Sequence, residues 1–361
     1  MNPYKQFTSQ YTNIERLIFS KAVHKHLSKC GFSGWMLSKE FGGQAKTAQE
    51  LIHASELLMT HCQNFGLMLS WIVHEIVTWW FIGHFGNEIQ KKEYLPKMIS
   101  GDMLGAIAIS EPGVGAHPKH LKTHARISEK NICMNGEKTY LTNGPIADLF
   151  VVIAMTHVEK AKKQYSAFIV TNNMLGFEYT NPLDFSFVQT SPHGGIILNK
   201  CMISKTNLLG EINTAYDFMV KPFREIEDTL MMGPILGGMQ CQLDYLVHEI
   251  NQQNCSLNHE QLLTIGNLQT IISSSRVIAE KAGQRLDQKR QSIDLLLGFR
   301  QWAEHYQTCY TRLIDQLPSL ETDQIKFLTH DLCSIGRVAS KIMQKKQIDI
   351  GKNIIHLSSI K

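Results

Sequence analysis

The chain has 361 residues, 43% of them apolar and 19% charged, with a formal charge of +4 and 16 histidines. That balance describes two or three packed domains and excludes an intrinsically disordered chain. The lysines are scattered, which gives no nucleic-acid surface, and the eight cysteines form no Cys-x-x-Cys pair, which fits reduced thiols and a cytoplasmic location.

The N-terminus, Met1-Asn2-Pro3-Tyr4, lacks the basic-then-apolar layout of a signal peptide. From Asn13 to Met103 apolar residues recur at three and four, as in Leu51, Ala54, Leu57, Leu58 and in Ile72, Ile76, Trp79, Trp80, which predicts helices. Phe41-Gly42-Gly43 and Gly83 to Gly86 break them. The most apolar stretch, Gly66 to Phe85, is interrupted by His74, Glu75 and His84, which favours a buried helix over a membrane span.

The helical period stops after Gly101-Asp102, and short β-branched and aromatic runs follow: Ala106 to Ile109, Thr123 to Ile127, Lys138 to Leu141, Leu149 to Ala154, Ala167 to Val170 and Gly195 to Leu198. They predict a small antiparallel barrel or sandwich. Helical spacing returns near Thr214 in four long segments broken near Asn254, Ser292 and Pro318, a pattern expected of a four-helix bundle. The expected organisation is α+β: a helical domain over 1–104, a β domain over 105–212 and a helical bundle over 213–361.

Two stretches of the β domain stand out. Ile109-Ser110-Glu111-Pro112-Gly113-Val114-Gly115 leaves a strand for a Gly/Pro turn, and Asn135-Gly136-Glu137-Lys138-Thr139-Tyr140-Leu141-Thr142-Asn143-Gly144 ends another at an Asn-Gly turn. Strand ends of this kind present backbone donors and small hydroxyls to a flat, polar-edged ligand. Alone, Ser110 or Thr142 would be an ordinary turn residue.

Together, in this order and between two helical domains, these stretches resemble the acyl-CoA dehydrogenase family of flavoproteins. The similarity runs from about Gly31 to Lys346 and includes Phe85-Gly86-Asn87-Glu88-Ile89-Gln90, which is similar to the family's entry to the β domain. The resemblance implies flavin adenine dinucleotide (FAD) held between β domain and bundle. It also implies an acyl-CoA or related acyl thioester as substrate, and an electron-transfer flavoprotein or other acceptor. A homo- or hetero-oligomer, dimer or tetramer, is expected. The family reaction removes an α-proton and a β-hydride to give the trans-2-enoyl thioester. Ile109 and Ser110 match positions that meet the flavin pyrimidine edge. Thr142 matches the threonine at flavin N5, and Tyr140 the aromatic, usually tryptophan, that shields the ring. Such donors stabilise the negative charge that develops on a flavin as hydride arrives.

Taking the α-proton needs a carboxylate whose pKa is raised by apolar surroundings or neighbouring anions. The chain carries no C-terminal Tyr-Glu-Gly-Thr-like loop, from which much of the family supplies its glutamate. A minority places it on the first bundle helix, before an arginine. Aligning on Gly233-Pro234-Ile235-Leu236-Gly237-Gly238-Met239-Gln240 puts Glu227 there; aligning on Leu209-Gly210-Glu211 selects Glu225. Asp228 occupies the arginine's place, and an acidic cluster like this one is also what a solvated helix face carries.

Three departures set this chain apart from the family pattern. Ala116-His117 replaces the usual Ser-Asp, so at Gly115 and Ala116 contact with the cofactor would fall to backbone amides. Gln253-Asn254-Cys255-Ser256-Leu257 stands where an Arg-x-x-Phe-Gly motif reaches the neighbouring subunit's flavin pyrophosphate. Ile348-Asp349-Ile350-Gly351-Lys352-Asn353-Ile354-Ile355 replaces the Gln-x-x-Gly-Gly-x-Gly segment at the adenine half. A non-catalytic structural or regulatory subunit, paired with a complete paralogue, is therefore the second expectation. No metal site is expected: His24 and His26 diverge on a helix, His53 and His61 lie two turns apart, and His74-Glu75 has no histidine four residues on. Met231 and the Trp79-Trp80 pair are expected to fill cores.

Overall fold

The computed structural model describes residues 2–338 and 340–358. Helices α1 (Pro3–Thr8), α2 (Lys21–Lys29), α3 (Ala48–Cys62), α4 (Phe65–Ile76) and α5 (Glu88–Ile99) form the first part, with a π-helical segment, Val77–Gly83, extending α4. Side chains set their starts. Thr47 and Glu50 form a reciprocal capping box on α3, and Asn64 caps α4 through Leu67 N.

Most of the stretch Phe65–Gly83 is buried within the fold. Its polar residues are occupied by loop amides: the Glu75 carboxylate accepts from Gly34 N (3.1 Å) and Trp35 N (2.9 Å), and His74 Nδ1 accepts from Gly105 N (3.2 Å). Burying these groups is tolerable because each is hydrogen-bonded.

Eight strands follow: β1 (Gly105–Ala108), β2 (His124–Ile127), β3 (Asn131–Thr142), β4 (Leu149–Glu159), β5 (Lys162–Thr171), β6 (Phe177–Tyr179), β7 (His193–Ser204) and β8 (Leu208–Leu209). They form one sheet in the order β6-β7-β3-β2-β4-β5-β8, with β1 beside β4. The sheet is not purely antiparallel as expected, since β1 and β2 both meet β4 in parallel. Strand alternation divides its two faces. Ala106, Ala108, Phe150, Val152 and Phe168 fill the sheet's own core, while Ile107, Ile109, Val151 and Ile169 join the large core shared with the helices. Both faces of β1 and β4 are buried, which is why they read as continuous apolar runs.

The C-terminal part contains α6 (Lys221–Leu230), α7 (Met232–Gln252), α8 (His259–Asp287), α9 (Ile293–Gln316), α10 (Asp323–Arg337) and α11 (Ser340–Ser358). The three expected breaks fall between α7 and α8, α8 and α9, and α9 and α10. Two further breaks, at Met231 and after Arg337, divide the first and last of the four expected segments. Helix α7 crosses α3 at close range: a Cβ on Gly233 would stand 2.0 Å from Ser55 Oγ and 2.3 Å from Ile52 O. Only glycine permits that approach.

Candidate active site

The first site segment leaves β1 and is tied to β3. Ile109 is buried and its carbonyl accepts from Lys138 Nζ at 2.9 Å, while the Ser110 carbonyl accepts from Thr139 N at 2.9 Å. Beneath the turn the Glu111 carboxylate accepts from Lys138 Nζ (2.9 Å), Lys122 N (2.6 Å) and Thr123 N (2.9 Å). Burial draws the Lys138 ammonium down to about 8, even with Glu111 pulling it back up. For Glu111, burial alone would raise the carboxyl, but Lys138 and the amides outweigh it and hold it below its ordinary value. The Ser110 hydroxyl has no partner among the described residues. Gly113 and Gly115 have left-handed backbones (φ +73° and +58°) with no atom within 4 Å of where a Cβ would stand, and half-buried Ala116 follows.

The second segment ends β3. Its register shifts between Lys138 and Leu141, a bulge that leaves both Lys138 and Thr139 buried and turns Tyr140 outward. Tyr140 has φ +62°, costly for a bulky side chain, and is 51% exposed with its ring 6.3 Å from that of Phe185. The Thr142 hydroxyl lies 3.1 Å from His193 Nε2 at the start of β7. Beside it Asn143, fully buried, donates through its side chain to Ser70 O (2.9 Å) and leaves Oδ1 without a partner.

A cavity of about 780 Å³ opens between this edge of the sheet and the helices α6, α7, α9 and α10. Tyr140, Phe185 and His193 line it on the sheet side. On α6, α7 and the break between them, Arg224, Glu227, Asp228, Met231 and Ile235 line it at helical spacing, while Phe223, Ile226 and Leu230 on the opposite face pack into the core. Met231 thus both fills the core and forms cavity wall.

Glu227 is half-buried, and the surface it keeps opens into the cavity. Burial first, and the Asp228 carboxylate next, raise its carboxyl to about 7 against the opposing pull of Arg224. Asp228 is also raised, chiefly by burial, with Arg300 Nη1 3.8 Å away. Glu225 faces elsewhere: its carboxylate accepts from Ser292 N at the start of α9. Of the two candidates, Glu227 alone lies on the cavity wall.

Sequence reasoning passed over Phe185, His193, Arg224 and Arg300. Phe185 and His193 flank an irregular loop with no period to read, and Arg300 reaches the site from a helix far along the chain. Gln253 to Leu257 lie at the end of α7 and in its connection to α8, and bring no cation there; Ile348 to Ile355 lie within α11. Among the described residues no group of three or more His, Cys, Asp or Glu is placed to hold a metal ion.

Two family models match the chain, the acyl-CoA dehydrogenase N-terminal domain over residues 5–102 and its middle domain over 106–201, together a little over half of it. The chain belongs to the acyl-CoA dehydrogenase family. Among relatives, it is 30% identical over 244 residues to the mitochondrial isovaleryl-CoA dehydrogenase of Pongo abelii, covering 66% of this chain but 57% of that protein's length. It is 26% identical over 270 residues to the L-prolyl-[peptidyl-carrier protein] dehydrogenase of Pseudomonas fluorescens, 72% of this chain and 70% of that one. Among solved structures, butyryl-CoA dehydrogenase from Megasphaera elsdenii superposes with a TM-score of 0.85 at 19% identity, covering 98% of this chain and 96% of that one. The family's solved members include an FAD complex of PigA, with a TM-score of 0.82 at 19% identity and coverage of 96% and 95%. The family is one of oxidoreductases, and its members bind FAD.

Proposed function

We propose that the chain is an FAD-dependent dehydrogenase of an acyl-CoA or related acyl thioester, with Glu227 as the base. The observation that carries this is one carboxyl, raised to about 7, set in the cavity wall opposite the sheet edge of Tyr140 and His193. A base poised near neutrality is what α-proton abstraction requires.

The sheet edge suits FAD. It offers the free Ser110 hydroxyl, the Thr142 hydroxyl, main chain at Gly113 and Ala116, and an exposed aromatic ring at Tyr140. Ile109 and Ser110 would hold the pyrimidine edge of the ring, Thr142 its N5 edge, and the Ala116 amide the phosphates, since Gly115 N already donates to Glu111 O at 3.0 Å. When bound, FAD supplies the acceptor for the β-hydride. Glu227 takes the α-proton at its carboxylate. Tyr140 and Phe185 form an aromatic wall that excludes water, and Arg224 and Arg300 offset the negative charge that Glu227 and Asp228 would otherwise accumulate. In this reading electrons leave to an electron-transfer flavoprotein or another acceptor, and the chain works as a homo- or hetero-oligomer.

Loss of a charge-assisted phosphate contact at Gln253 to Leu257 would weaken FAD by roughly 1.5–3 kcal/mol. A scaffold role beside a complete paralogue is the competing reading that this departure favours. Purified protein incubated with excess FAD and then with an acyl-CoA series decides between them. Bleaching of the flavin absorbance by one of the thioesters is expected. Protein that stays colourless on its own after FAD incubation would reject the homomeric enzyme.

A further inference from the structure

His193 follows Pro192 at the start of β7 and pairs with Thr142 across the sheet. Its ring is buried, with Nδ1 2.8 Å from Ser191 O and Nε2 3.1 Å from Thr142 Oγ1. A main-chain carbonyl can only accept, so Nδ1 must carry a proton. Burial, partly opposed by the Ser191 carbonyl, lowers the pKa of the ring and favours its neutral form. A neutral imidazole protonated at Nδ1 has a lone pair at Nε2, and the hydrogen bond at that atom must come from the Thr142 hydroxyl.

The imidazole is held from several sides. The Phe185 ring packs edge-on against it at 4.9 Å, and the Ser191 hydroxyl, on the residue that anchors Nδ1, is within 2.8 Å of Ser70 Oγ on α4. The geometry therefore fixes a direction along Ser191 O, His193 and Thr142, in which each proton points away from the threonine oxygen.

We propose that His193 is a positioning residue that takes the Thr142 hydroxyl proton out of play, so that Thr142 meets its ligand as a hydrogen-bond acceptor only. The inference rests on the placement of Thr142 at the N5 edge of FAD made above. N5 of oxidised flavin is an acceptor, and N5 of the two-electron-reduced ring carries a hydrogen. An acceptor-only oxygen offers nothing to the first and a partner to the second. His193 thereby favours the reduced cofactor and assists the dehydrogenation direction.

The test combines cofactor potential with the tautomer of the apoprotein. In FAD-loaded protein, His193→Phe frees the threonine hydroxyl to donate to oxidised N5. It should lower the two-electron potential by up to about tenfold in the oxidised-to-reduced ratio, or ~30 mV. His193→Gln, which returns an acceptor near the position of Nε2, should recover much of that shift. Thr142→Val should lower the potential by itself, and His193→Phe added to it should do nothing further. In the apoprotein, the imidazole nitrogen resonances should report Nδ1–H with Nε2 unprotonated, a readout that needs no cofactor. A potential moved by Thr142→Val but not by His193→Phe overturns this inference alone, as does an Nε2–H tautomer. A potential indifferent to Thr142→Val overturns the placement of Thr142, and this inference with it.

Discussion

Lys138 and Glu111 form an ion pair at 2.9 Å from which water is almost wholly excluded, their side chains 0% and 6% exposed. The same ammonium holds the Ile109 carbonyl. One buried charge thus fastens the turn after β1 to the bulge of β3, and so fixes the spacing of the two segments proposed to grip FAD. Replacing one member strands the other in a low-dielectric interior, which generally costs about 3–5 kcal/mol. Lys138→Met should lower the urea midpoint accordingly, and at a temperature where the variant is still folded it should bind FAD less tightly. Equal unfolding midpoints for variant and parent would remove the pair from the list of determinants.

With Glu227 as the proposed base, a pH dependence of turnover follows. The base acts only when ionised, and its carboxyl is raised to about 7 by burial and by Asp228. Below that pH the group is protonated and idle, so log kcat/KM should climb with unit slope and level off above about 7. Glu227→Gln should reduce the rate of flavin bleaching by substrate about 10²–10⁴-fold while leaving the flavin spectrum in place. Rapid-mixing absorbance measurements across pH 5.5–9 check both statements.

Glu225 should behave differently although it is only two residues away. Its carboxylate accepts from Ser292 N at the start of α9, where an orphaned amide would otherwise be left. Glu225→Gln should lower stability by about 1 kcal/mol at most and leave kcat/KM within a few-fold of the parent. A loss of turnover as large as that of Glu227→Gln would exchange the assignments of the two residues.

Asp331 on α10 gives a stability prediction with a definite sign. Its side chain is almost fully buried, Oδ1 accepts from Val188 N at 2.7 Å and Oδ2 has no partner. Burial raises its carboxyl to about 6, partly opposed by the Val188 amide. Its folded-state pKa thus exceeds the unfolded value, so the folded chain binds the extra proton, and this group's contribution to stability is lost as pH rises through about 6. Asp331→Asn keeps the acceptor for Val188 and removes the charge. It should gain on the order of 1 kcal/mol at pH 7 and nothing at pH 4, the gain limited by its unpaired amide. Thermal melts at the two pH values decide it.

What the sequence revealed, and what it concealed, divides along physical lines. The ends of β1 and β3 were legible because turn chemistry is local: Pro112, Gly113 and Asn143-Gly144 announce themselves within a few residues. The parallel joins of β1 and β2 to β4 were not, since pairing of distant strands leaves no local mark. Strand β8, two residues long, was too short to show a period, and the break at Met231 lay inside an otherwise continuous helical pattern. Glu225 and Glu227 could not be separated in sequence because two anchors, out of register by two residues, each selected one of them. A rotation of about 200° between them, two steps of a 3.6-residue turn, sends one to α9 and the other into the cavity.

Helix α4 lies between the two halves of the candidate site. It touches α6, which carries Glu227, and also β1 and β3, which carry the two grip segments, and its Leu69 lines the cavity. The proposed base and the sheet edge belong to separate elements, and α4 packs against both. In the proposed mechanism, its apolar side chains would gauge the gap across which both reacting carbons of a substrate must fit. Exchanging a leucine for a smaller or larger residue along this helix would retune reach without altering any group that performs chemistry. The stretch that by composition alone could be mistaken for a membrane anchor is, in the folded chain, the calliper of the site.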